Sequence, residues 1–413
     1  MLKHFFKGDA RIQALREGSS GSLLEGFAEA LHQAGYAEIT ARRHIRAAEH
    51  TAYWLDRLEI KISDFTEDLL KDFALHLKRC RCPGYGRADR GLFNGARLFL
   101  KHLRSRGLLP ASVVEPIHDP VLLVEFRHWM KQQRGTCDPT LYNYGLSIKA
   151  LLTRLGEDPA RFDAQSLRQF VLETSRHSGW AKAKQCTTAL RMFLRFLISE
   201  GQCADNLDAA IPALAHWRLS SLPQYLQPDD VERVIAACDL HTPVGKRDHA
   251  ILLLLVRLGL RAGDIVQLHL GDIDWKAADI RVSGKGRRHT RLPLTQEIGD
   301  ALASYLQSGR PQTSTDVLFI HSRAPFLAFK SHCAVSALVA RAMHKAGVSC
   351  PSRGAAHVLR HSAATSMLRH GASLKDIAAV LRHRSIETTQ IYAKVDVTAL
   401  QRIAQPWPEV QPC

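Results

Sequence analysis

The strongest constraint on the fold is an internal repeat of helical patterns in the first half of the chain. Residues 40–55 and 140–155, which lie 100 residues apart, both carry apolar side chains at helical spacing. The motif Arg-Leu-Phe-Leu-Lys-His-Leu at residues 97–103 matches Arg-Met-Phe-Leu-Arg-Phe-Leu at residues 191–197, with an offset of 94. Between these segments, Phe65 matches Phe162 and Phe73 matches Phe170. The repeat predicts two successive bundles of about four short helices each, although two unrelated amphipathic bundles would share much of this pattern.

Two stretches that break helical periodicity divide the chain into parts. They are residues 107–120, which contain three prolines, and residues 212–228. The predicted parts are an N-terminal tail (residues 1–21), an additional helical domain (22–112), a second helical domain (113–219) and a last domain (220–413).

The last domain has a mixed pattern of helices and strands. An antiparallel hairpin is predicted from strands at residues 279–282 and 290–294, around the sequence Ser-Gly-Lys-Gly that begins at Ser283. Helices are predicted at residues 229–237, 247–258, 331–346, 355–369, 374–381 and 386–392. The fold class is therefore expected to be mainly α, with helical domains followed by a mixed α/β domain that is mostly helical and contains one small antiparallel sheet.

The charge of the chain favours a polyanionic partner. Lys and Arg number 56 against 40 Asp and Glu, a formal net charge of +16. The excess lies mainly in residues 1–110 (+6) and 221–413 (+8). Nucleic acid is the expected partner, while an anionic membrane surface or simple solubility also fits. The first residues lack the apolar core of a signal peptide, and the longest apolar run, residues 251–256, is too short to cross a bilayer, so a cytoplasmic protein without membrane spans is expected.

The nine cysteines give little indication of a metal site. One residue separates the only close pair, Cys80 and Cys82, whereas zinc sites usually have about two to four between them. His76 lies four residues before Cys80 and extends this group, but no second cluster follows. Ordinary reduced thiols are expected, and no metal or cofactor is predicted.

Several side chains of the last domain have chemistry suited to breaking a phosphodiester bond. Such a reaction needs a nucleophile, cations that stabilise a five-coordinate phosphate, and an acid for the departing 5′ oxygen. Arg261 follows an apolar helix, and the flanking Gly259 and Gly263 permit close approach of the backbone. His357 and Arg360 share one helix face because they lie three residues apart. Taken singly, each is explained equally well as a surface or packing residue.

Three further candidates come from the hairpin and from the end of the domain. Lys285 occupies the glycine-flanked hairpin tip, from which a flexible amine reaches a leaving oxygen, although most lysines at turns are simply solvated. His383 lies nine residues before Tyr392. Either side chain alone has a sufficient explanation in packing or helix capping.

The joint order of these residues resembles the tyrosine recombinase, or phage integrase, family over most of residues 225–395. That family has an arginine after Gly-Leu, a lysine in a Gly-Lys-Gly hairpin, a His-x-x-Arg helix, and a Gly-His pair before a Thr-Thr-x-x-Tyr tail. The matching residues here are Arg261, Lys285, His357, Arg360, His383 and Tyr392. Two positions depart from the family pattern. Arg382 stands where glycine is common, and Asp264 stands where glutamate is usual, with one methylene less for bracing Arg261.

The resemblance implies a defined chemistry. Tyr392 attacks the scissile phosphate, which gives a 3′-phosphotyrosyl enzyme and a free 5′ hydroxyl. Arg261 and Arg360 bind the nonbridging oxygens with their planar guanidinium groups. Lys285 is the general acid for the leaving 5′ oxygen. Neither magnesium nor ATP is expected to be required, because the side chains supply the charge stabilisation.

The resemblance leaves the roles of the two histidines interchangeable. In one assignment, His357 accepts a proton from the tyrosine or orients it, and His383 donates a hydrogen bond to the phosphate. Residues 113–219 take the place of the family's core-binding helical (SAM-like) domain, which closes around double-stranded DNA with the catalytic domain at residues 220–413. Residues 22–112 then form an additional helical unit that extends the DNA contact or touches a neighbouring protomer, similar to those of recombinases carried by transposable elements.

The expected function is site-specific recombination that integrates, excises or transposes a mobile element. A homotetramer on two DNA sites is implied, with other recombinases or accessory proteins as further candidate partners, and the bound protein is expected in the bacterial nucleoid. Two alternatives stay open. A type IB topoisomerase uses similar tyrosine chemistry without exchanging duplexes, and a catalytically silent DNA-binding protein would also be basic and helical.

Overall fold

A computed structural model describes residues 1–18, 20–83, 90–110, 119–214, 222–283, 289–350, 354–383, 385–396, 400–402 and 404. Its contacts divide the chain into two compact units, Pro110–Arg218 on the one hand and Met1–Leu109 with Leu219–Cys413 on the other. The predicted domain boundaries at residues 21, 112 and 219 remain predictions. Among the described residues, no helix has the length and apolar character that crossing a membrane requires.

Residues 1–109 pack around one hydrophobic core. Its helices are α1 (Leu2–Phe5), α2 (Asp9–Glu17), α3 (Gly21–Gln33), α4 (Glu38–Arg57), α5 (Glu67–Arg79) and α6 (Arg90–Ser105). Residues 1–21, expected to be a tail, instead form α1 and α2 and place Leu2, Phe5, Ile12 and Leu15 in this core. These four side chains recur at helical spacing and therefore give the N-terminal segment an apolar face of its own.

The unit Pro110–Arg218 has the same internal order of elements as residues 21–105. Its helices are α7 (Val121–Arg134), α8 (Asp138–Leu155), α9 (Ala164–Arg176) and α10 (Trp180–Ser199), followed by a 3-10 turn at Leu207–Ala210. A 3-10 turn joins α8 to α9 at Pro159–Arg161, just as one joins α4 to α5 at Ile62–Asp64. Phe65 and Phe162, which follow these two turns, are both buried. The agreement of turns, helices and buried positions supports the internal repeat.

The last part of the chain is built around a helix that is buried over most of its length. The helices are α11 (Pro228–Ala236), α12 (Pro243–Arg257), α13 (Ala262–Val266), α14 (Gln296–Ser308), α15 (His332–Lys345), α16 (Ala355–Arg369) and α17 (Leu374–Val380). Residues 250–255 of α12 are each 0% exposed, and α12 packs on α14 and α16. No element was predicted at α14, and the predicted helix at residues 386–392 consists of two 3-10 turns, Ile386–Thr388 and Gln390–Val395.

One small antiparallel sheet completes this part. Its strands are β1 (Ile273–Asp274), β2 (Asp279–Ser283) and β3 (His289–Pro293), in the order β1-β2-β3. Ser283 pairs with His289 at the end of the β2–β3 ladder, which confirms the predicted hairpin. Lys285 and the rest of the hairpin tip lie outside the described residues. The predicted fold class, mainly α with one small sheet, is confirmed.

Candidate active site

The first arginine of the site is positioned by a glycine turn. Gly259 follows the end of α12 with φ +59, and a Cβ atom there would lie 2.5 Å from Cδ2 of Leu381. This position therefore requires glycine, both for its backbone conformation and for its close contact. Gly263 lies in α13, where a Cβ atom would meet nothing within 4 Å, so no contact among the described residues requires glycine there. Arg261 occupies the N-cap position of α13 and is half-buried.

The second arginine is held between two other segments. Arg360 extends from α16, is 3% exposed, and donates hydrogen bonds to the main-chain oxygens of Gly259 and Leu381. Burial, followed by repulsion from Arg261, lowers the pKa of Arg360 to about 10. The side chain therefore stays cationic at neutral pH, and its guanidinium fixes the distance between the glycine turn and the end of α17.

The two departures from the family pattern, Asp264 and Arg382, form an ion pair with each other. Asp264 also accepts a hydrogen bond from the backbone N–H of Arg261 at 2.8 Å, so it supports the main chain of that residue and not its guanidinium. Nη2 of Arg261 donates instead to the main-chain oxygen of Arg382 at 3.3 Å. Arg382 has φ +54, a conformation that glycine adopts without steric cost. Its side chain is nearly buried, and its Nε and Nη1 have no hydrogen-bond partner among the described residues.

Tyr392 is buried in the 3-10 turn Gln390–Val395 and is 1% exposed. Its ring packs with Ala364, Ile377 and Leu381 in a small apolar cluster. Burial raises the pKa of the Tyr392 hydroxyl to about 12, although the nearby Arg360 cation acts in the opposite direction. The hydroxyl is therefore protonated at neutral pH, and a base must assist its ionisation.

A histidine that the sequence motif did not single out contacts this hydroxyl. Nδ1 of His361 lies 2.8 Å from Oη of Tyr392. The His361 ring also lies 4.3 Å from the His357 ring, one helical turn away on α16. Burial, followed by repulsion from His357, lowers the pKa of His361 to about 4. The imidazole is therefore neutral at pH 7, and a neutral ring protonated at Nε2 accepts a hydrogen bond at Nδ1.

The two histidines predicted from sequence lie elsewhere around the same site. His357 reaches solvent, and desolvation by the surrounding protein, followed by repulsion from Arg360, lowers its pKa. Nδ1 of His383 lies 2.8 Å from Oγ1 of Thr389, a residue of the buried tyrosine segment. Burial, followed by repulsion from Arg360, lowers the pKa of His383 to about 4.

Five of the six predicted reactive residues are linked through Arg360, which interacts electrostatically with each of the other four: Arg261, His357, His383 and Tyr392. The sixth, Lys285, lies outside the described residues. The arrangement offers a phenolic nucleophile, a neutral base in contact with it, and two cations able to bind a phosphate. Such a set defines a protein of the class that transfers DNA strands through tyrosine.

Comparisons with known proteins identify the family. Residues 224–398 match the model of the phage integrase family. The putative integrase/recombinase y4rA of Sinorhizobium fredii (strain NBRC 101917 / NGR234) is 34% identical, and the match covers 98% of this chain and 99% of that protein. Tyrosine recombinase XerD of Xanthomonas axonopodis pv. citri (strain 306) is 32% identical over 71% of this chain and 96% of its own. The chain belongs to the phage integrase family of tyrosine recombinases, enzymes that cleave and rejoin DNA.

Solved structures show the same fold. XerH site-specific recombinase, in a post-cleavage complex with palindromic difH substrate, matches with a TM-score of 0.55 and 19% identity, over 84% of this chain and 98% of its own. The Tn1549 transposon integrase, in complex with a circular intermediate DNA, matches with a TM-score of 0.51 and 15% identity, over 68% of this chain and 99% of its own. At these identities the likeness concerns the fold alone.

Proposed function

We propose that this recombinase cleaves double-stranded DNA through Tyr392 and holds the broken strand as a 3′-phosphotyrosyl intermediate. The observation that carries this assignment is the 2.8 Å contact between the Tyr392 hydroxyl and His361, inside a site that also contains Arg261 and Arg360. Among the described tyrosines, the combination of a neutral imidazole partner with the nearby Arg360 guanidinium distinguishes Tyr392.

The arginine pair is suited to a phosphodiester. Arg261 is half-buried and Arg360 is almost completely buried. Burial is the main cause of the lowered pKa of Arg360, and repulsion from Arg261 is the second cause. An anion between the two guanidinium groups relieves this repulsion and replaces lost hydration with charge-assisted hydrogen bonds. The pair therefore binds most strongly where negative charge increases, as it does on the five-coordinate phosphorus of the transition state.

The covalent step is balanced by two proton transfers. Oη of Tyr392 forms a bond to phosphorus while the bond from phosphorus to the 5′ oxygen breaks. His361 takes the phenolic proton, and Lys285 supplies a proton to the departing 5′ oxygen. His357, in ring contact with His361, orients that base, and His383 donates a hydrogen bond to the phosphate. The reverse sequence rejoins the strand.

Tyr392 must change position before this step. A side chain that is 1% exposed does not meet a DNA phosphate where it lies. The short turn Gln390–Val395 and the contact between His383 and Thr389 are the local structures that hold it. Binding of DNA at the arginine pair would draw His383 toward phosphate and release this segment.

The relatives and the extra helical unit support a proposal for the biological role. Residues 22–112 extend the DNA contact beyond that of residues 113–219 and 220–413, and the recombinase integrates, excises or transposes a mobile element. A homotetramer on two DNA sites, with accessory proteins or other recombinases as further partners, performs the exchange in the bacterial nucleoid. Strand exchange between two marked duplexes separates this function from that of a type IB topoisomerase, which does not join different duplexes.

Covalent trapping tests the nucleophile. The wild-type protein is incubated with fragmented host DNA, denatured with detergent, and the protein-linked ends are sequenced, which also gives the target site. Tyr392→Phe should yield no covalent DNA, whereas Tyr142→Phe, a control at a side chain that is 63% exposed, should yield as much as the wild type. Covalent DNA from Tyr392→Phe would show that another residue attacks.

The same trapped complexes test the polarity. A 3′-phosphotyrosyl bond leaves a free 5′ hydroxyl, which polynucleotide kinase labels without prior phosphatase treatment. A complex that resists this labelling but is extended by a polymerase at its 3′ end would contradict the proposed polarity.

A further inference from the structure

Four side chains with metal-binding chemistry meet far from the reactive residues in the sequence. His50 comes from the middle of α4, His76 from the last turn of α5, and Cys80 and Cys82 from the segment that follows α5. One ligand atom from each lies within 4.8 Å of all the others. His50 is 0% exposed, and the two cysteines are also buried. Buried imidazole and thiol groups that converge in this way form a closed site with no position left for substrate.

The distances between these atoms fit a tetrahedral ion. Nε2 of His76 lies 3.3 Å from Nε2 of His50, Sγ of Cys80 lies 3.4 Å from Nε2 of His50, and Sγ of Cys82 lies 3.6 Å from Nε2 of His76. Tetrahedral zinc with ordinary bond lengths separates two nitrogens by about 3.3 Å and a nitrogen from a sulfur by about 3.6 Å. The backbone N–H of Cys82 donates to Sγ of Cys80 at 3.4 Å, a contact that stabilises a thiolate.

Aromatic rings pack against the two histidines of the cluster, and the Arg57 cation lies close to Cys82 and His76. The Phe73 ring stacks on His76 at 5.8 Å and meets His50 edge-on at 5.2 Å. Trp54 lies 5.7 Å from the His76 ring. These rings hold both imidazoles in place, as the residues around a structural metal site do.

The helical repeat in Pro110–Arg218 provides an internal comparison for the repeat in residues 1–109. Its helices α8 and α9 correspond to α4 and α5, and Ala150, Glu173, His177 and Gly179 stand at the positions that correspond to the four ligands. There, Glu173 on α9 forms an ion pair with Arg154 on α8, with a second contact at 2.9 Å. Arg154 corresponds to Trp54, and Glu173 corresponds to His76. The contact between the first two helices of the pair, α4 with α5 or α8 with α9, is therefore made at the same place in both repeats. The four His and Cys residues therefore occur only in the repeat at residues 1–109, and the repeated helical pattern does not explain them.

We propose that residues 1–109 bind one zinc ion through Nε2 of His50, Nε2 of His76, Sγ of Cys80 and Sγ of Cys82. Two nitrogen and two sulfur ligands in a closed tetrahedral site favour zinc over magnesium or calcium, which prefer oxygen. The ion fixes the end of α5 on the middle of α4. This proposal replaces the expectation of ordinary reduced thiols and is independent of the catalytic assignment.

Metal analysis of the full-length, untagged protein tests the site. After growth with added zinc and dialysis against metal-free buffer, the wild type should retain about one zinc ion per chain. Replacement by Co²⁺ should give the intense visible absorption of a tetrahedral site together with thiolate-to-cobalt charge transfer in the near ultraviolet. Cys82→Ser should reduce the charge-transfer band by about half, because one of two thiolates remains.

Paired variants locate the ion. Cys80→Ser/Cys82→Ser should lose the zinc, whereas Cys203→Ser/Cys333→Ser, which also removes two thiols, should keep it. Removing zinc from the wild type with a strong chelator should lower its melting temperature by several degrees, a measurement that needs no variant to fold. Wild-type protein that holds far less than one zinc per chain and shows no cobalt–thiolate band would overturn the proposal. Retention of zinc by Cys80→Ser/Cys82→Ser would overturn the ligand assignment.

Discussion

The proton path from Tyr392 to His361 makes a prediction whose size follows from the structure. Burial places the pKa of Tyr392 at about 12 and that of His361 at about 4, a difference of about eight pH units. Complete transfer of the proton within this resting arrangement therefore costs at most about 11 kcal/mol, reduced by the attraction between the phenolate and the imidazolium that it creates. The tyrosine is kept unreactive until DNA binds. A phosphate near His361 raises the pKa of the imidazole, and exposure of Tyr392 lowers the pKa of the phenol, so both changes reduce this cost.

His361→Ala removes the proposed base while leaving the nucleophile. The rate of covalent complex formation at pH 7 should fall roughly 10²- to 10⁴-fold, the range for loss of a general base. The assay is single-turnover trapping on a nicked duplex that contains the target site, with DNA affinity measured in parallel. His370→Ala, at an exposed histidine just after α16, serves as the control and should react at the wild-type rate.

The pH dependence separates a proton acceptor from a residue that only supports the structure. Without a base, the reaction depends on the small fraction of tyrosinate, so the rate of His361→Ala should rise about tenfold per pH unit on the alkaline side. The wild-type rate should depend much less on pH there. A variant within about threefold of the wild type at pH 7 would refute the assignment. The steep profile appearing in His357→Ala instead would transfer the role to His357.

Three further predictions concern charge and stability. Arg360→Lys should slow cleavage at least about 100-fold, since lysine cannot reproduce the planar donors of the guanidinium, and single-turnover rates on the same DNA check this. Arg382→Ala should destabilise the protein by up to about 3 kcal/mol in urea unfolding, because it removes the ion-pair partner of the buried Asp264 carboxylate, which keeps the hydrogen bond from the Arg261 N–H. Arg382→Gly should cost about 1 kcal/mol less, because glycine tolerates the positive φ. Acid should also destabilise the folded protein, because folding lowers the pKa values of His361 and His383 from 6.5 to about 4. The contribution of these two neutral histidines to the free energy of unfolding is complete above pH 6.5 and is lost as the pH falls toward 4. At pH 5 the loss is at most about 2 kcal/mol for His361 and smaller for the half-buried His383, whose charge solvent screens. A His361→Gln/His383→Gln variant should lose correspondingly less stability between pH 7 and pH 5.

Features that depend on local sequence were predictable. The apolar spacing of residues 247–258 and 355–369 predicts α12 and α16 closely, because an amphipathic or buried helix has a period visible in a short window. The β2–β3 hairpin is equally local, since its strands are separated only by a short glycine-containing turn. The order of reactive residues was predictable for a different reason: a family motif fixes residue types and intervals without requiring any knowledge of contacts.

Contacts between distant segments were not predictable in this way. His361 follows Arg360 directly, and its spacing from His357 places it on the same face of α16, but only the folded chain brings Tyr392 to it from 31 residues away. The pairing of Arg382 with Asp264 spans 118 residues. Within residues 1–109, Nε2 of His50 contacts Sγ of Cys80, which lies 30 residues later in the sequence. A search for metal ligands within a short sequence window finds His76 and the two cysteines but has no reason to include a histidine on another helix.

The proposed zinc site changes how metal independence of the reaction must be tested. The reactive groups come from residues 261–392, whereas the zinc ligands lie at residues 50–82, so a chelator has two routes by which to reduce activity. A metal that takes part in the chemistry would be needed by the Cys80→Ser/Cys82→Ser variant as well, whereas a structural zinc would already be absent from it. If excess EDTA slows the wild type but leaves the residual cleavage by this variant unchanged, the chelator acts through the zinc site and the tyrosine chemistry needs no metal. If EDTA abolishes cleavage by both proteins, a metal acts at the phosphate, and the assignment of all charge stabilisation to arginine, lysine and histidine is wrong.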